Sequence, residues 1–186
     1  MNNKLTLMYV HGLNSNGNSS TGKTIEKLVK QYFPTIDIVV KHPTFSKDCN
    51  EALSLLKEEA KDCDIVIGTS LGGFLALNAK GVYRIIVNPA LHPSVTLLEL
   101  GESSEVASSY KNTEHDLISS INEEDKGTLV GYFADNDTVV NNKDEFKQLY
   151  GENAIHDFHG EHRMNKNVIK EIIIPEVLKY IEMRKS

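Results

Sequence analysis

Six short apolar segments recur along the chain, and segments with helical spacing lie between them. The apolar segments are rich in β-branched and aromatic residues and cover residues 5–10, 36–40, 64–67, 84–87, 128–133 and 154–158. Near-continuous apolar runs of this length are typical of strands that are covered on both faces. Because strands alternate with helices, the pattern predicts an α/β domain built on a parallel sheet.

The intervening segments carry apolar residues on one helical face. The spacing predicts a first helix from Ile25, Leu28, Val29 and Tyr32, and a second from Ala52, Leu55, Leu56 and Ala60. Asp48 precedes the second helix and is expected to cap it. Residues 165–184 are also helical in pattern, but Pro175 lacks an amide hydrogen and should kink this helix or begin a new segment.

Residues 91–126 are the least regular part of the chain, with a Gly/Ser-rich cluster at 101–104 and a turn signal at 112–113. Two interpretations stay open for this region: a small lid over an active site, or a helical connection that covers the sheet edge. The sequence has no internal repeat and no linker that would divide it. We therefore expect a single domain over residues 1–186.

The charge balance of the chain is acidic. Its 186 residues include 26 Asp and Glu against 20 Lys and Arg, for a formal net charge of −6. This balance argues against a nucleic-acid groove or an anionic membrane surface, since both need clustered Lys and Arg. No segment reaches the roughly 20 apolar residues of a membrane helix, and the first residues lack a signal-peptide cleavage pattern. We expect a cytoplasmic protein that acts on a small molecule.

The chain has two cysteines, Cys49 and Cys63, which form no CxxC pair. This spacing gives little support for a zinc site or a disulfide framework. Both residues are therefore expected to be reduced thiols.

A serine between glycines follows the third apolar segment. Gly68-Thr69-Ser70-Leu71-Gly72 comes directly after a predicted strand and before a predicted helix. A serine on a tight strand-to-helix turn needs neighbours without side chains two residues before and after it, where a Cβ would clash. The motif therefore indicates Ser70 as a candidate nucleophile.

A nucleophilic serine also needs a base, a carboxylate that orients the base, and donors for the developing oxyanion. Asp135 and Asp137 follow the fifth predicted strand, and His159 and His162 follow the sixth, at the sheet edge where open α/β sheets bind ligands. The backbone amides of Leu13 and Leu71 are the candidate oxyanion donors. His11 is interpreted as a structural residue that holds the loop after the first strand.

Three stretches together resemble the small YqiA/YcfP-type esterases of the α/β-hydrolase superfamily. They are Tyr9-Val10-His11-Gly12-Leu13-Asn14-Ser15, Gly68-Thr69-Ser70-Leu71-Gly72-Gly73-Phe74, and Val87-Asn88-Pro89-Ala90 followed by Pro93. The resemblance implies a serine hydrolase that cleaves carboxylic esters, or thioesters, of small or short-acyl substrates through a Ser-His-acid triad. We expect no cofactor and no metal.

The resemblance also favours one acid and one base. The superfamily places the acid shortly before a valine and the base in a Gly-x-His pattern, which favours Asp137 and His162; Asp135 and His159 stay open as alternatives.

The resemblance further implies a three-layer α/β-hydrolase-like fold without a large cap domain. With four residues before Leu5, we expect a wholly parallel six-stranded sheet. The resemblance to the superfamily implies the strand order 2-1-3-4-5-6.

The acyl-binding walls are expected near this machinery. The candidates are Leu13, Leu71, Phe74, Leu98, Val139 and Met164, which neighbour the proposed catalytic residues or lie in the possible lid.

Three other functions compete with ester hydrolysis. Residues 17–24 match the GxxxxGK[ST] pattern of nucleotide-binding kinases and NTPases, with Lys23 as the phosphate ligand, although six residues separate the motif from the first strand. His156, His159 and His162 recur every third residue and could suggest a metal site, but at a strand exit their side chains would diverge. A hydrolase fold that has lost catalysis and only binds a ligand is the third.

Overall fold

The computed structural model describes residues 4–121 and 127–185. Six strands form one parallel sheet in the order β2-β1-β3-β4-β5-β6. The strands are β1 (Lys4–Val10), β2 (Asp37–Lys41), β3 (Ile65–Thr69), β4 (Tyr83–Val87), β5 (Leu129–Ala134) and β6 (Ile155–Phe158). Each begins or ends within two residues of a predicted apolar segment. The predicted fold class and strand order are confirmed.

Nine α-helices are described around the sheet. They are α1 (Ser20–Tyr32), α2 (Cys49–Glu59), α3 (Leu71–Leu77), α4 (Pro93–Glu99), α5 (Ser104–Ser108), α6 (Lys111–Ser119), α7 (Lys143–Tyr150), α8 (Lys166–Val168) and α9 (Ile174–Met183). The Asp48 side chain accepts hydrogen bonds from the amides of Asn50 and Glu51 at the start of α2, as predicted. None of the helices in the described ranges is long and apolar enough to cross a membrane.

The core consists of one apolar layer on each face of the sheet. Alternate residues of β1 point to opposite layers: Met8 and Val10 to one, and Leu7 and Tyr9 to the other. Helices α2 to α7 pack on the first face, and α1, α8 and α9 pack on the second. The result is the expected three-layer arrangement.

Residues 91–121 form helices α4, α5 and α6, which pack on the sheet face through Leu97, Ala107, Tyr110 and Leu117. These buried residues pack the three helices on the core. The end of the predicted lid region, residues 122–126, lies outside the described residues.

The C-terminal helical pattern is divided, as the proline predicts. A π-helical turn over Ile169–Ile173 separates α8 from α9, and Pro175 lies in the first turn of α9. A proline there removes one i→i−4 hydrogen bond, and the wider turn accommodates the missing donor. Glu176 anchors α9 to the sheet, because its buried carboxylate accepts hydrogen bonds from the hydroxyls of Tyr83 (2.6 Å) and Tyr132 (2.8 Å).

The carboxyl ends of the parallel strands meet at one edge of the sheet. The register aligns Val10 with Gly68, Thr69 with Val87, and Ala134 with Phe158. The loops that follow β1, β3, β4, β5 and β6 therefore leave from the same edge, which is where an open α/β sheet binds its ligands.

Candidate active site

Ser70 occupies a sharp turn between β3 and α3. Its backbone has φ 55° and ψ −121°, a conformation that costs a side-chain-bearing residue about 1–3 kcal/mol. Hydrogen bonds on both sides maintain it: the Ser70 amide donates to the Val87 carbonyl, and the Ser70 carbonyl accepts from the amides of Gly73 and Ala90. The turn is therefore held in place by the neighbouring strand end.

The glycines that flank Ser70 leave no room for a side chain. A Cβ on Gly68 would lie 2.3 Å from the Gly72 carbonyl oxygen, and a Cβ on Gly72 would lie 2.2 Å from the Val10 carbonyl oxygen. Both separations are far below van der Waals contact. The strand, the turn and the start of α3 can therefore approach each other only with glycine at both positions.

His162 and Asp137 form a hydrogen-bonded pair on the loops after β6 and β5. His162 Nδ1 lies 2.7 Å from Asp137 Oδ2, and the two side chains are 15% and 7% exposed. The other carboxylate oxygen, Oδ1, accepts from the amides of Val139 (2.8 Å) and Val140 (3.0 Å). An ionised carboxylate fixed in this way keeps the proton of the imidazole on Nδ1.

Ser70 and His162 line one cavity of about 520 Å³. With Nδ1 bound to Asp137, the remaining nitrogen, Nε2, is the proton acceptor of the neutral ring. No described side chain or backbone group forms a hydrogen bond with Nε2 or with the Ser70 hydroxyl. Both groups are therefore available to a ligand in the cavity.

The loop after β1 lies directly against Ser70. A Cβ on Gly12 would lie 3.2 Å from the Ser70 Cβ, and the next residue, Leu13, lines the cavity. Within the described part of the chain, the amides of Leu13 and Leu71 donate no hydrogen bond to the protein. Two uncommitted backbone donors thus flank the serine.

Comparison with known proteins identifies the family of this chain. The model of the family described as "Uncharacterised protein family (UPF0227)" matches residues 6–173. The chain belongs to UPF0227. This is the YqiA/YcfP-type family, so the resemblance drawn from the three sequence stretches is confirmed.

Three solved structures are similar in fold to this chain. Est1E from Butyrivibrio proteoclasticus has a TM-score of 0.72 at 12% identity, covering 98% of this chain and 90% of that one. The FphF serine hydrolase of Staphylococcus aureus has a TM-score of 0.69 at 19% identity, and the match covers 95% of this chain and 83% of that one. The Paleococcus ferrophilus monoacylglycerol lipase has a TM-score of 0.68 at 14% identity, and the match covers 94% of each chain. At these identities the similarity establishes the α/β-hydrolase fold.

His11 holds the first loop of this UPF0227 chain. Its Nε2 accepts from the Phe45 amide (3.0 Å), so Nδ1 carries the proton and donates to the Gly12 carbonyl (2.9 Å). Burial lowers the pKa of this imidazole, which favours the neutral form that makes both bonds. Its contacts are those of a residue that supports the Gly12 turn.

Asn88 was not singled out as a site residue from the sequence, although it follows β4 at the same sheet edge. Its side chain is buried and donates to the carbonyls of Glu161 (3.3 Å) and His162 (3.1 Å), while its Oδ1 accepts from the Ala134 amide (2.8 Å). Asn88 therefore joins the end of β5 to the loop that carries His162. Its position after a strand was the available signal.

Asp135 and His159, the alternative acid and base, are hydrogen-bonded to each other and do not line the cavity. His159 Nδ1 lies 2.8 Å from Asp135 Oδ2, and the side chains are 87% and 49% exposed. The hydrogen bond with Asp135 raises the pKa of His159, and the same bond lowers the pKa of Asp135. His156 stacks on Tyr132 instead. The three histidines diverge, and the described residues contain no cluster suited to a metal ion.

The expected acyl-binding residues divide into two groups. Leu13, Val139 and Met164 line the cavity. Phe74 does not, because it points from α3 into the core, where its ring packs edge-on against Tyr110. Leu98 also stays away from the cavity and is exposed on α4, whereas Leu100, after the end of that helix, lines it. Leu71 is buried below the turn, which leaves its amide as its contribution to the site.

The P-loop-like octapeptide does not wrap around an open anion site in this structure. Its second half is the start of α1, and the Gly17 amide donates to Thr44 Oγ1 (3.0 Å). Gly17 packs so closely on the loop before α2 that a Cβ there would lie 2.1 Å from the His42 carbonyl oxygen. Lys23 is exposed on α1 and is not among the residues that line the cavity.

Proposed function

We propose that this protein is a serine hydrolase that cleaves carboxylic esters, or thioesters, of small substrates through Ser70, His162 and Asp137. The observation that carries the proposal is that a strained serine and a partly buried His–Asp pair line or support one cavity. The α/β-hydrolase fold of UPF0227 makes this chemistry a reasonable expectation, since esterases and a lipase share it. The proposal itself depends on the site, because one fold supports many functions.

The reaction follows from the roles of these groups. His162 Nε2 takes the Ser70 proton while Oγ forms a bond to the carbonyl carbon. The amides of Leu13 and Leu71 stabilise the oxyanion, and His162 then gives its proton to the departing alcohol or thiol. Water attacks the acyl-enzyme in the same way and releases the acid. Asp137 holds the ring and stabilises its cationic form.

The cavity supports short acyl groups. Its volume of about 520 Å³ lies within the usual range for small-ligand sites, and part of its wall is apolar through Leu13, Leu100, Val139 and Met164. We expect p-nitrophenyl acetate and butyrate to be better substrates than p-nitrophenyl palmitate. A preference for the palmitate would contradict the assignment of short acyl groups.

An alkyl fluorophosphonate probe tests the nucleophile. We expect covalent labelling of the wild-type protein, complete loss of labelling in Ser70→Ala, and unchanged labelling in Ser108→Ala, which removes an exposed hydroxyl on α5. Mass spectrometry of the tryptic peptide locates the adduct. If the folded wild-type protein is not labelled and hydrolyses no ester of the panel, the site only binds a ligand and the proposal is wrong.

A further inference from the structure

The cavity beside Ser70 has an unusual charge for this protein. Acidic residues outnumber basic ones by 26 to 20 in the chain, yet none of the fifteen described residues that line the cavity is acidic. Its only basic side chains are His162 and Arg163. Because Asp137 is bonded to His162, the positive charge of Arg163 is left without a counterpart at this site.

Among the described residues, Arg163 also has no ion-pair partner. Other cations of the structure have carboxylate partners, for example Lys47 with Glu102 (2.6 Å) and Lys143 with Asp157 (2.6 Å). In the described ranges, Arg163 has neither a carboxylate nor a hydrogen-bond partner. A guanidinium presents a planar set of N–H donors that matches a carboxylate or a phosphate, and here this set is free to meet a ligand.

Hydroxyl and amide groups continue the polar side of the cavity. They belong to Tyr9, Asn14, Ser15, Ser19, Ser20, Thr21 and Thr69. Tyr9 and Thr69 are already joined, with 3.1 Å between their hydroxyl oxygens, close to the Ser70 turn. Groups of this kind can donate hydrogen bonds to anionic oxygens without adding negative charge. The polar side therefore suits an anion better than a cation.

We propose that the substrates of this site are esters that carry a second, anionic group, a carboxylate or a phosphate, which Arg163 binds while Ser70 attacks the ester carbonyl. This inference rests on the proposed function and gives its substrate class. The apolar wall of Leu13, Leu100, Val139 and Met164 would contact the short chain between the two groups. Within this scheme Arg163 is a specificity residue and takes no proton.

A pair of esters of equal chain length isolates the anion. Mono-p-nitrophenyl glutarate and p-nitrophenyl valerate both have five-carbon acyl groups, and only the glutarate ends in a carboxylate. We expect a higher kcat/KM for the glutarate, mainly through a lower KM, because the ion pair forms with both ground and transition states. The preference should fall between 0.1 and 1 M NaCl, since Arg163 is exposed to screening.

Substitution of Arg163 tests the recognition directly. In Arg163→Gln, the ratio of the two kcat/KM values should fall about tenfold, the size expected when a charged hydrogen bond is lost. Lys166→Gln is the matched control, because it removes one exposed positive charge three residues away that does not line the cavity. It should leave the ratio unchanged. Equal losses on both esters in Arg163→Gln would mean a structural role and would overturn the proposal.

Binding to the Ser70→Ala protein separates this inference from the hydrolase proposal. By calorimetry, monomethyl glutarate should bind at least tenfold more tightly than methyl valerate, and the difference should disappear in Ser70→Ala/Arg163→Gln. Competition by methyl phosphate against monomethyl glutarate identifies which anion binds more tightly. Equal binding of the charged and neutral esters refutes the anion site even if the wild type hydrolyses esters. A clear difference supports it even if no ester is hydrolysed.

Discussion

Two aspartate–histidine pairs extend from the same two loops of this fold. Asp135–His159 and Asp137–His162 have nearly equal hydrogen bonds, 2.8 Å and 2.7 Å, and each joins the loop after β5 to the loop after β6. Their surroundings differ. The first pair is 49% and 87% exposed, and the second is 7% and 15% exposed and reaches the cavity beside Ser70.

The contrast shows that a short hydrogen bond alone does not determine how firmly one partner holds the other. An exposed pair is screened by water and contributes little, whereas a buried carboxylate with two further amide donors holds its partner in one orientation. Asp137 Oδ1 accepts from the backbone amides of Val139 and Val140. Asp135 Oδ1 also accepts two hydrogen bonds, from the Gly160 backbone amide (3.0 Å) and the Asn136 side-chain amide (3.2 Å), so burial is what separates the two pairs. The two pairs therefore serve as an internal control for each other.

The largest expected effect comes from the two histidines. His162→Ala removes the proposed base, and ester hydrolysis should fall by about 10⁴-fold or more in kcat. His159→Ala removes an imidazole of the same kind that lies outside the cavity, and kcat should stay within about twofold of the wild type. Steady-state kinetics on p-nitrophenyl butyrate measure both. If the two variants lose equal activity, the assignment of the base is wrong.

The two aspartates should differ almost as much. Asp137→Asn keeps the size of the side chain but no longer fixes the proton on Nδ1 of His162, and kcat should fall by about 10³- to 10⁴-fold. Asp135→Asn should change kcat by less than about threefold, because its partner does not reach the cavity. Circular dichroism checks that both variants are folded. A larger loss in Asp135→Asn would exchange the roles of the two pairs.

Sequence pattern identified the sheet more completely than the site. The six apolar segments fall on the six strands because a strand covered on both faces needs apolar residues along its whole length. The Ser70 turn could also be predicted from the sequence, because steric contact requires the glycines on either side of it. By contrast, Asp135 and Asp137 occupy equivalent places after β5, and the burial that separates them arises from loops distant in sequence.

The cavity wall illustrates the same limit. Phe74 is a candidate because it follows the Ser70 turn in sequence, and Leu98 because it lies in the possible lid. Every residue of α3 is buried, however, so Phe74 can face the core instead. After α4 the chain turns at Gly101, which has φ 86°, and Leu100, just before this turn, lines the cavity whereas Leu98 does not. Neither the rotation of a short helix nor the path of the following turn is encoded in apolar periodicity.

Asn88 links the buried pair to the sheet, and its removal should have an intermediate effect. Asn88→Gly deletes the side-chain bonds to Glu161, His162 and Ala134, while glycine accepts the φ of 45° found here. Loss of this positioning should lower kcat by about 10- to 100-fold with little change in KM.

A neighbouring asparagine provides the control for Asn88. Asn142 also donates to a backbone carbonyl, that of Pro89 (2.9 Å), but in the described part of the chain its side chain forms no hydrogen bond with the His162 loop. Asn142→Ala should therefore leave kcat within about twofold. The rate of labelling by the fluorophosphonate should fall only in Asn88→Gly. A parallel fall in both variants would indicate general destabilisation and not positioning of His162.

The smallest expected effect concerns the pH dependence of the exposed pair. Because Asp135 raises the pKa of His159, the folded state binds the imidazole proton more tightly than the unfolded state does. The stability that this proton contributes is fully present below the ordinary histidine pKa of about 6.5 and is lost as the pH rises through the raised pKa of His159. The lowered pKa of Asp135 limits this window on the acid side. The stability that the carboxylate contributes is present above about pH 4 and is lost as the pH falls through the lowered pKa of Asp135.

Two measurements test this pH dependence. His159→Gln should lower Tm slightly at pH 5.5 and not at pH 8.5. The His159 Cε1 proton resonance should titrate above pH 6.5 in the wild type but near pH 6.5 in Asp135→Asn. An unchanged midpoint in that variant would mean that the pair does not persist in solution, as screening of an exposed pair allows.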